Sequence, residues 1–524
     1  MKKLISFSLV LCIIFANFGN FSIVLSNDKT DIFSVPPDYG KVIDSYYNSK
    51  NTIYLIQDLH CSRQAQEKIK QIITYLKTYH KENLQIIGVE GSSKEIDTTI
   101  LSNINNNKIK QQVVDFLLKD GYLNGAELYS IENPGILKIY GLEDPKLYRQ
   151  NFELLYNTLQ SIKELNETLT SLQNKLKRIK KANYPKSLKK FEEQEKLFIT
   201  NNMDTYSYLR YIFDISKKLN IQTDKNYPNL NDYLNIKKLD LKLNKSLIKI
   251  QAGSVLNSLE NVLNSYDVLE LNKRKQNKNL TDYYLYLKNL LTINNIKLHT
   301  DSHNDLLSYF KYLDHLEKLN TYSQLKEIHN LTITIKKELA HTNSYLIDLI
   351  DTATHLNILS KIINNKAGDY DIKKWIQHKN RFYKVAEKIF TKHEFKKLAK
   401  LQKAEIDMLN FYKLAEKRNE IITANMMRHI FQEAGSRRQE ADDKITPPSP
   451  SLVSARNKEL SGILIVGGYH TSGIANILKS KGISYKVIQP AIDMYNKDVK
   501  NIYIKRLNEQ AEIILNQDNK LSFD

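Results

Sequence analysis

Ile53-Tyr54-Leu55-Ile56-Gln57-Asp58-Leu59-His60 is a short apolar run that ends in a histidine. Ile463-Leu464-Ile465-Val466-Gly467-Gly468-Tyr469-His470 repeats the arrangement, with its histidine 410 positions further on. Short runs rich in Ile, Leu and Val, bounded by turn residues, read as strands buried on both faces of a parallel sheet. In open α/β sheets the functional groups gather at the carboxyl ends of the strands. The two runs therefore predict one α/β site assembled from both ends of the chain, with an insertion between them.

Working outward, strand and helix signals alternate. Gln64 to Tyr79 carries Ile69, Ile72, Ile73 and Leu76 on one helical face. Leu84–Val89 is a second strand, followed at once by Glu90-Gly91-Ser92. Ile109–Lys119 reads as a helix ended by Gly121, and Leu137–Gly141 as a third strand that leads into Glu143 and Asp144. This βαβαβ order predicts right-handed parallel crossovers. After residue 462 the same logic gives a strand at Ile463–Val466, a helix at Ile474–Lys481, a strand at Ser484–Ile488 stopped by Pro490, and a helical tail.

Between these parts the period changes. Leu155, Leu159, Ile162, Leu165, Leu169, Leu172, Leu176 and Ile179 make a coiled-coil-like seam on one long helix, Pro145 to about Ala182, which Pro185 breaks. Further helical segments run on past residue 400, among them Leu230–Ile250 and Tyr322–Leu359. Gly435–Ser461, with Pro447-Pro448-Ser449-Pro450, has the composition of a flexible loop. The expected fold is an α/β core with a mainly parallel sheet, interrupted by a large all-helical insertion domain. Residues 27–150 form the first part of the core, with 27–50 a polar lead-in. Residues 151–410 form the insertion, 411–434 a core helix, 435–461 the loop and 462–524 the rest of the core.

Residues 1–26 read as a secretory signal: Lys2 and Lys3, an apolar core from Ile5 to Phe15, then Val24 and Ser26 before a cleavage point. An uncleaved segment of this kind would instead tether the chain. The expected location is periplasmic or extracellular, in a bacterial envelope, soluble or peripheral to the membrane. Cleavage leaves Cys61 as the one cysteine, which excludes an intramolecular disulfide. The formal charge is +19, and +17 without the first 26 residues. The lysines are interspersed with acids in the manner of ordinary helix surface, so nucleic acid is not expected as a partner.

Three strand ends converge in this scheme, carrying His60, Glu90 and His470. Two imidazoles and a carboxylate suffice to hold a divalent metal with open water positions, or to act as acid and base without one. Zn, Mn and Co are not distinguished by the pattern. Each residue also has an ordinary reading: a loop-anchoring histidine, a paired carboxylate, or, for Glu143 and Asp144 before Pro145, a helix cap. Asp58 has two ordinary readings, orienting His60 or binding a backbone amide. Cys61 shows no sign of activation. Gly467-Gly468 is not a phosphate loop, since no Lys-Ser/Thr follows.

The motifs and their order resemble the TraB/Tiki, ChaN and erythromycin esterase superfamily. The matching pieces are Gln57-Asp58-Leu59-His60, Gly88-Val89-Glu90-Gly91, Glu416-Lys417-Arg418-Asn419-Glu420 with Asn425-Met426-Met427, and Gly467-Gly468-Tyr469-His470-Thr471-Ser472-Gly473. Gly125-Ala126-Glu127-Leu128-Tyr129-Ser130 and Tyr140-Gly141-Leu142-Glu143-Asp144 resemble a bacterial branch. The likeness covers about residues 50–150 and 410–490 and leaves the helical segment between them unexplained. It implies a site of His60, Glu90 and His470, with Arg418 nearby as an anion binder or orienting residue. Tiki-like members are similar to metal-dependent proteases, the esterase branch uses His and Glu to activate water, and the ChaN branch binds haem. Asp58 stands where Tiki-like members favour a small residue. Asp58, Glu127, Glu143, Asn419 and Tyr469 are the candidate substrate contacts.

The leading expectation is an exported hydrolase acting on a small-molecule or peptide substrate through His60, Glu90, His470 and Arg418. A carrier of haem or another small ligand, with Tyr469 against a macrocycle, is the alternative. An interaction protein that docks a partner on the helical seam is the third. The oligomeric state is left open by the sequence.

Overall fold

The computed structural model describes residues 35–36, 38–48, 51–80, 84–259, 262–276, 280–317, 321–442, 461–492 and 497–516. The expected signal segment lies outside the described residues, as does 443–460 of the expected loop. Among the described residues, no helix is long and apolar enough to cross a membrane.

Six strands form one sheet in the order β1-β6-β2-β5-β3-β4. They are β1 (Gly40–Tyr46), β2 (Thr52–Asp58), β3 (Leu84–Val89), β4 (Lys138–Gly141), β5 (Ser461–Gly467) and β6 (Ser484–Pro490). Every neighbouring pair is parallel except β1 with β6. The parallel core thus follows the sequence expectation, while β1 corrects it, because residues 27–50 were expected to be a lead-in. Its burial is only partial, as befits an edge strand, and Gly40-Lys41-Val42-Ile43-Asp44 lacks the continuous apolar run that marks β2. All seven residues of β2 are buried, because it is covered on both faces and flanked by β5 and β6.

Six helices position the site: α1 (Arg63–His80), α2 (Gly125–Glu132), α3 (Pro145–Gln160), α4 (Lys392–Asp442), α5 (Gly468–Ser480) and α6 (Lys497–Asn516). The crossover from β2 through α1 to β3 advances one way along the sheet. The crossover from β5 through α5 to β6 advances the other way. With one handedness for both, α1 and α5 lie on opposite faces. The apolar stripe of α1 (Ile69, Ile72, Ile73 and Leu76) is fully buried against its face. Helix α4 packs on the sheet through Met426, which lies beside Gly88 of β3 and Gly462 of β5. It continues to Asp442, so the expected loop does not begin at residue 435.

The chain divides into two compact units. One comprises the sheet, with Asp38–Lys180 and the chain from Asp351 onward; the other runs from Lys181 to Ile350. The second unit is helical throughout its described length, with apolar clusters around Tyr208, Ile212 and Leu331 and around Leu259, Leu287 and Leu306. The helical unit is therefore shorter than the span 151–410 expected for it. Helices Pro145–Gln160, Ile162–Asn183 and Lys392–Asp442 fall with the sheet, and α3 and α4 are tied together by Asn151, whose Nδ2 donates to the Phe411 carbonyl at 2.7 Å.

Several helices expected to be continuous are divided. The helix from Pro145 stops at Gln160 and resumes at Ile162. Leu230–Ile250 splits between Asp240 and Lys245. Tyr322–Leu359 splits where His341 and Thr342 take left-handed backbone angles, and Asn343 then accepts the Leu346 amide. The seam residues Leu165, Leu169, Leu172 and Leu176 are buried within the chain. The other seam positions, Leu155, Leu159, Ile162 and Ile179, are half-buried.

Candidate functional site

The strand register builds the site. Asp58 of β2 lies opposite Gly467 of β5, and Val89 of β3 lies opposite Ile465. Strand β5 sits between the other two, so the three carboxyl ends reach one level. Glu90 follows Val89 and is held by its own amide, which donates to the Ile465 carbonyl. His60 stands two residues beyond β2, and His470 lies in the first turn of α5. Gly467 lacks the side chain that would intrude between them. A Cβ there would sit 3.2 Å from Glu90 Oε1 and 3.4 Å from His60 Nε2.

Glu90 is the hub. Its Oε1 accepts from His60 Nε2 at 2.9 Å. Its Oε2 faces His470 Nε2 at 3.8 Å and is buried without a hydrogen-bond partner among the described residues. His60 is clamped on its other side, where Nδ1 meets Asp58 Oδ2 at 2.6 Å. Asp58 is fixed in turn by Gln66 Nε2 of α1 at 2.7 Å, and Gln66 Oε1 accepts the Gly125 amide at the start of α2. His470 Nδ1 donates to Asn419 Oδ1 at 2.6 Å. This fixes the tautomer and leaves the Nε2 lone pair directed toward Glu90.

The two imidazoles are pushed in opposite directions. Burial works against a charge on His60, but the Asp58 carboxylate and hydrogen bonds to Asp58 and Glu90 outweigh it and raise its pKa well above the ordinary value. His60 is an imidazolium at neutral pH, donating from both nitrogens. Its side chain keeps 44% of its surface open to solvent, so it is the exposed member of the cluster. Burial lowers His470 to about 4; Glu90 opposes this, and the charges on Arg418 and His60 add to it. It is a neutral base at neutral pH. Burial favours the protonated form of Glu90. The positive charge that His470 takes on in acid and the bond from His60 overcome this and hold Glu90 well below the usual carboxylate range.

Arg418, on α4, does not touch Glu90. Its Nε and Nη2 donate to the two oxygens of Glu143, and its Nη1 donates to Asn151 Oδ1 at 2.7 Å. Its guanidinium lies over the Tyr148 ring at 5.1 Å. With Glu143 and Arg418 both buried, this pair joins α4 to the end of β4 beneath the histidines. The sequence expectation that Arg418 orients Glu90 or a substrate carboxylate is corrected: its donors are committed to Glu143 and Asn151. Glu143 is likewise a structural partner, and it also receives the Gly91 amide at 3.4 Å. Asp144 caps α3 through the Leu147 amide.

The other expected contacts divide. Asp58 and Asn419 are in the cluster, each holding one histidine. Glu127 is spent on a capping box, in which its Oε2 accepts the Asn124 amide while Asn124 caps the helix in return. Tyr469 packs among Phe411 and Tyr412, with ring centroids 6.2 and 5.6 Å away. Burial raises the Cys61 thiol against the nearby His60 charge, as expected of a bystander. Gln66, Tyr148 and Tyr503 were not anticipated. Tyr503, on α6, lies within electrostatic reach of His60 and Glu90, and burial raises its hydroxyl pKa.

A divalent metal held by His60, Glu90 and His470 does not fit this arrangement. Glu90 Oε2 and His470 Nε2 converge, but both nitrogens of the third ligand, His60, are turned to carboxylate oxygens. A metal site with three protein ligands needs three free donors aimed at one point. Among the described residues, no group of three or more His, Cys, Asp or Glu side chains is placed to hold a metal ion. No protein-family model, curated protein or solved structure matches this chain.

Proposed function

We propose that this chain is an exported hydrolase, of the kind its motif order resembles, that activates water with His470 and Glu90 and uses His60 as the acid. The observation that carries the reading is Glu90 between two histidines, each facing a different carboxylate oxygen. Sites that run acid and base chemistry together displace the pKa values of neighbouring groups in opposite directions. Here the exposed histidine is driven toward its acid form and the buried one toward its base form.

One water within about 2.8 Å of two atoms can span the 3.8 Å between His470 Nε2 and Glu90 Oε2. Both atoms are acceptors, so both water protons point inward and an oxygen lone pair is left to attack. Such bonds tighten when substrate binds. The water oxygen adds to a carbonyl carbon while its proton passes to His470 Nε2. The bond to the leaving group breaks as His60, which keeps its bond to Asp58, turns its Nε2–H from Glu90 to the leaving atom and delivers that proton. Asp58 and Asn419 keep the two rings in the required orientation.

This reading has better support than haem binding, since Tyr469 is packed into an aromatic cluster with Phe411 and Tyr412. Export rests on Lys2, Lys3 and the apolar stretch that follows. A mature chain beginning at Asn27 is the expected product of secretion.

The test is hydrolysis of ester and peptide panels by purified protein, treated with chelator, beside His470→Gln, His60→Gln and Glu90→Gln. Chelator-resistant turnover that is lost in His470→Gln supports the proposal. Turnover that vanishes with chelator and returns with metal, or equal rates in all four proteins, sinks it. A Soret shift on hemin titration, lost in His470→Gln, would favour the carrier instead.

A further inference from the structure

Helix α6 runs alongside the site, and it carries a cation whose hydrogen bonds are incomplete. Ile502 meets Cys61, the neighbour of His60, across Gly121; with φ +74, that glycine leaves no Cβ between them. One turn further on, Arg506 lies over the Tyr122 ring with its guanidinium carbon 3.5 Å from the centroid. Gln510 then donates to the Tyr148 hydroxyl at 2.7 Å, next to Arg418. Arg506 therefore sits between the His60 end and the Arg418 end of the cluster.

Its Nε and Nη1 are buried without hydrogen-bond partners among the described residues. The aromatic face covers the plane of the guanidinium but does not take its in-plane hydrogens. A buried charge left half-satisfied costs stability unless an anion completes it. One carboxylate is already present: Glu509 lies 2.6 Å from Nη2, three residues along the same helix. Glu509 keeps 39% of its side-chain surface exposed, and a further bond, from the Tyr122 hydroxyl, is long at 3.5 Å. Being partly exposed and bound to Nη2 alone, it is an occupant with which an incoming carboxylate can compete.

We propose that Arg506 anchors a carboxylate of the substrate, so that the site takes esters or amides of carboxylate-bearing compounds and Glu509 is displaced as they bind. This rests on the hydrolase reading for the reaction but not for the binding. The two are separated by measuring succinate binding by calorimetry alongside hydrolysis of 4-nitrophenyl hydrogen succinate and of neutral 4-nitrophenyl acetate. Losing one charged hydrogen bond lowers affinity by about tenfold or more. Arg506→Gln is expected to weaken succinate binding by that factor and to lower kcat/KM for the anionic ester alone. Glu509→Gln is expected to strengthen both, because it removes the competitor, whereas a purely structural pair would weaken in either variant. Arg506→Lys keeps the charge and serves if Arg506→Gln does not fold. Succinate binding without hydrolysis would uphold the anchor and sink the hydrolase. Absence of succinate binding by the wild type, or losses in Glu509→Gln that match those in Arg506→Gln, would overturn the anchor.

Discussion

At the scale of single residues, the site is a chain of hydrogen bonds that runs Gln66, Asp58, His60, Glu90 and is closed off by His470 and Asn419. Its pH dependence follows from the two histidines. Catalysis needs His470 deprotonated, so the rate falls as pH drops through about 4. It also needs His60 protonated, so the rate falls again on the alkaline side, above the ordinary histidine value. A pH profile of kcat/KM is expected to show a broad plateau between these limbs. In Asp58→Asn the alkaline limb moves toward neutrality, because the main charge holding the proton on His60 is gone; an unmoved limb would show that another group sets it. His60, Glu90 and His470 were legible as candidates because each terminates an apolar run. Gln66 and Tyr503 were not, since a polar or aromatic residue on an amphipathic helix has no local mark of what lies across from it.

At the scale of elements, the Glu143–Arg418 pair pins α4 to the end of β4. Replacing one member leaves the other charge buried and unpaired, at a cost of about 3–5 kcal/mol. Glu143→Gln is thus expected to lower the stability read from urea unfolding by that amount. The double variant Glu143→Leu with Arg418→Met should lose less than the sum of its single changes, and strict additivity would show that the pair is not coupled. Sequence singled out both residues without pairing them, because a bond across 275 positions leaves no trace in local spacing. The helix breaks were equally hidden. The apolar steps of three and four run on through Leu159, Ile162 and Leu165 with one extra step of three at Leu165, which a continuous seam tolerates, while the interruption at Ser161 is a matter of backbone bonding. Strand β1 escaped notice because an edge strand needs only one apolar face.

For the whole molecule, the helices either side of the second unit matter most. Helix Ile162–Asn183 and helix Ser344–Ile363 run antiparallel, with Asn166 bonded to Asn364 and Gln173 to Asn357. The same spacing carried forward brings Lys180 close to Asp351, the two points of the first unit between which the second is inserted. Deleting 181–350 and joining the ends with a short Gly-rich turn is therefore expected to leave a sheet unit that melts cooperatively. Circular dichroism on heating is the check, and a broad, non-cooperative melt would show that the sheet unit depends on the removed helices. Alternation of strand and helix signals made the parallel core readable from either end of the sequence, but the border of the helical unit was not. Helices of both units carry the same Leu and Ile stripes, and only contacts decide which belongs where.

The strand order also governs how the molecule is made. Strand β2, near the start of the chain, has β5 and β6 as its neighbours, and both emerge after residue 460. While the ribosome works through the intervening four hundred codons, β2 has neither edge paired, and an unpaired apolar strand invites association with other chains. Any product terminated before Pro490 lacks β2's complete set of neighbours. Premature termination between β2 and β6 thus yields an aggregation-prone fragment rather than a partly active protein, and a nascent chain of this design needs protection into the last eighth of its synthesis.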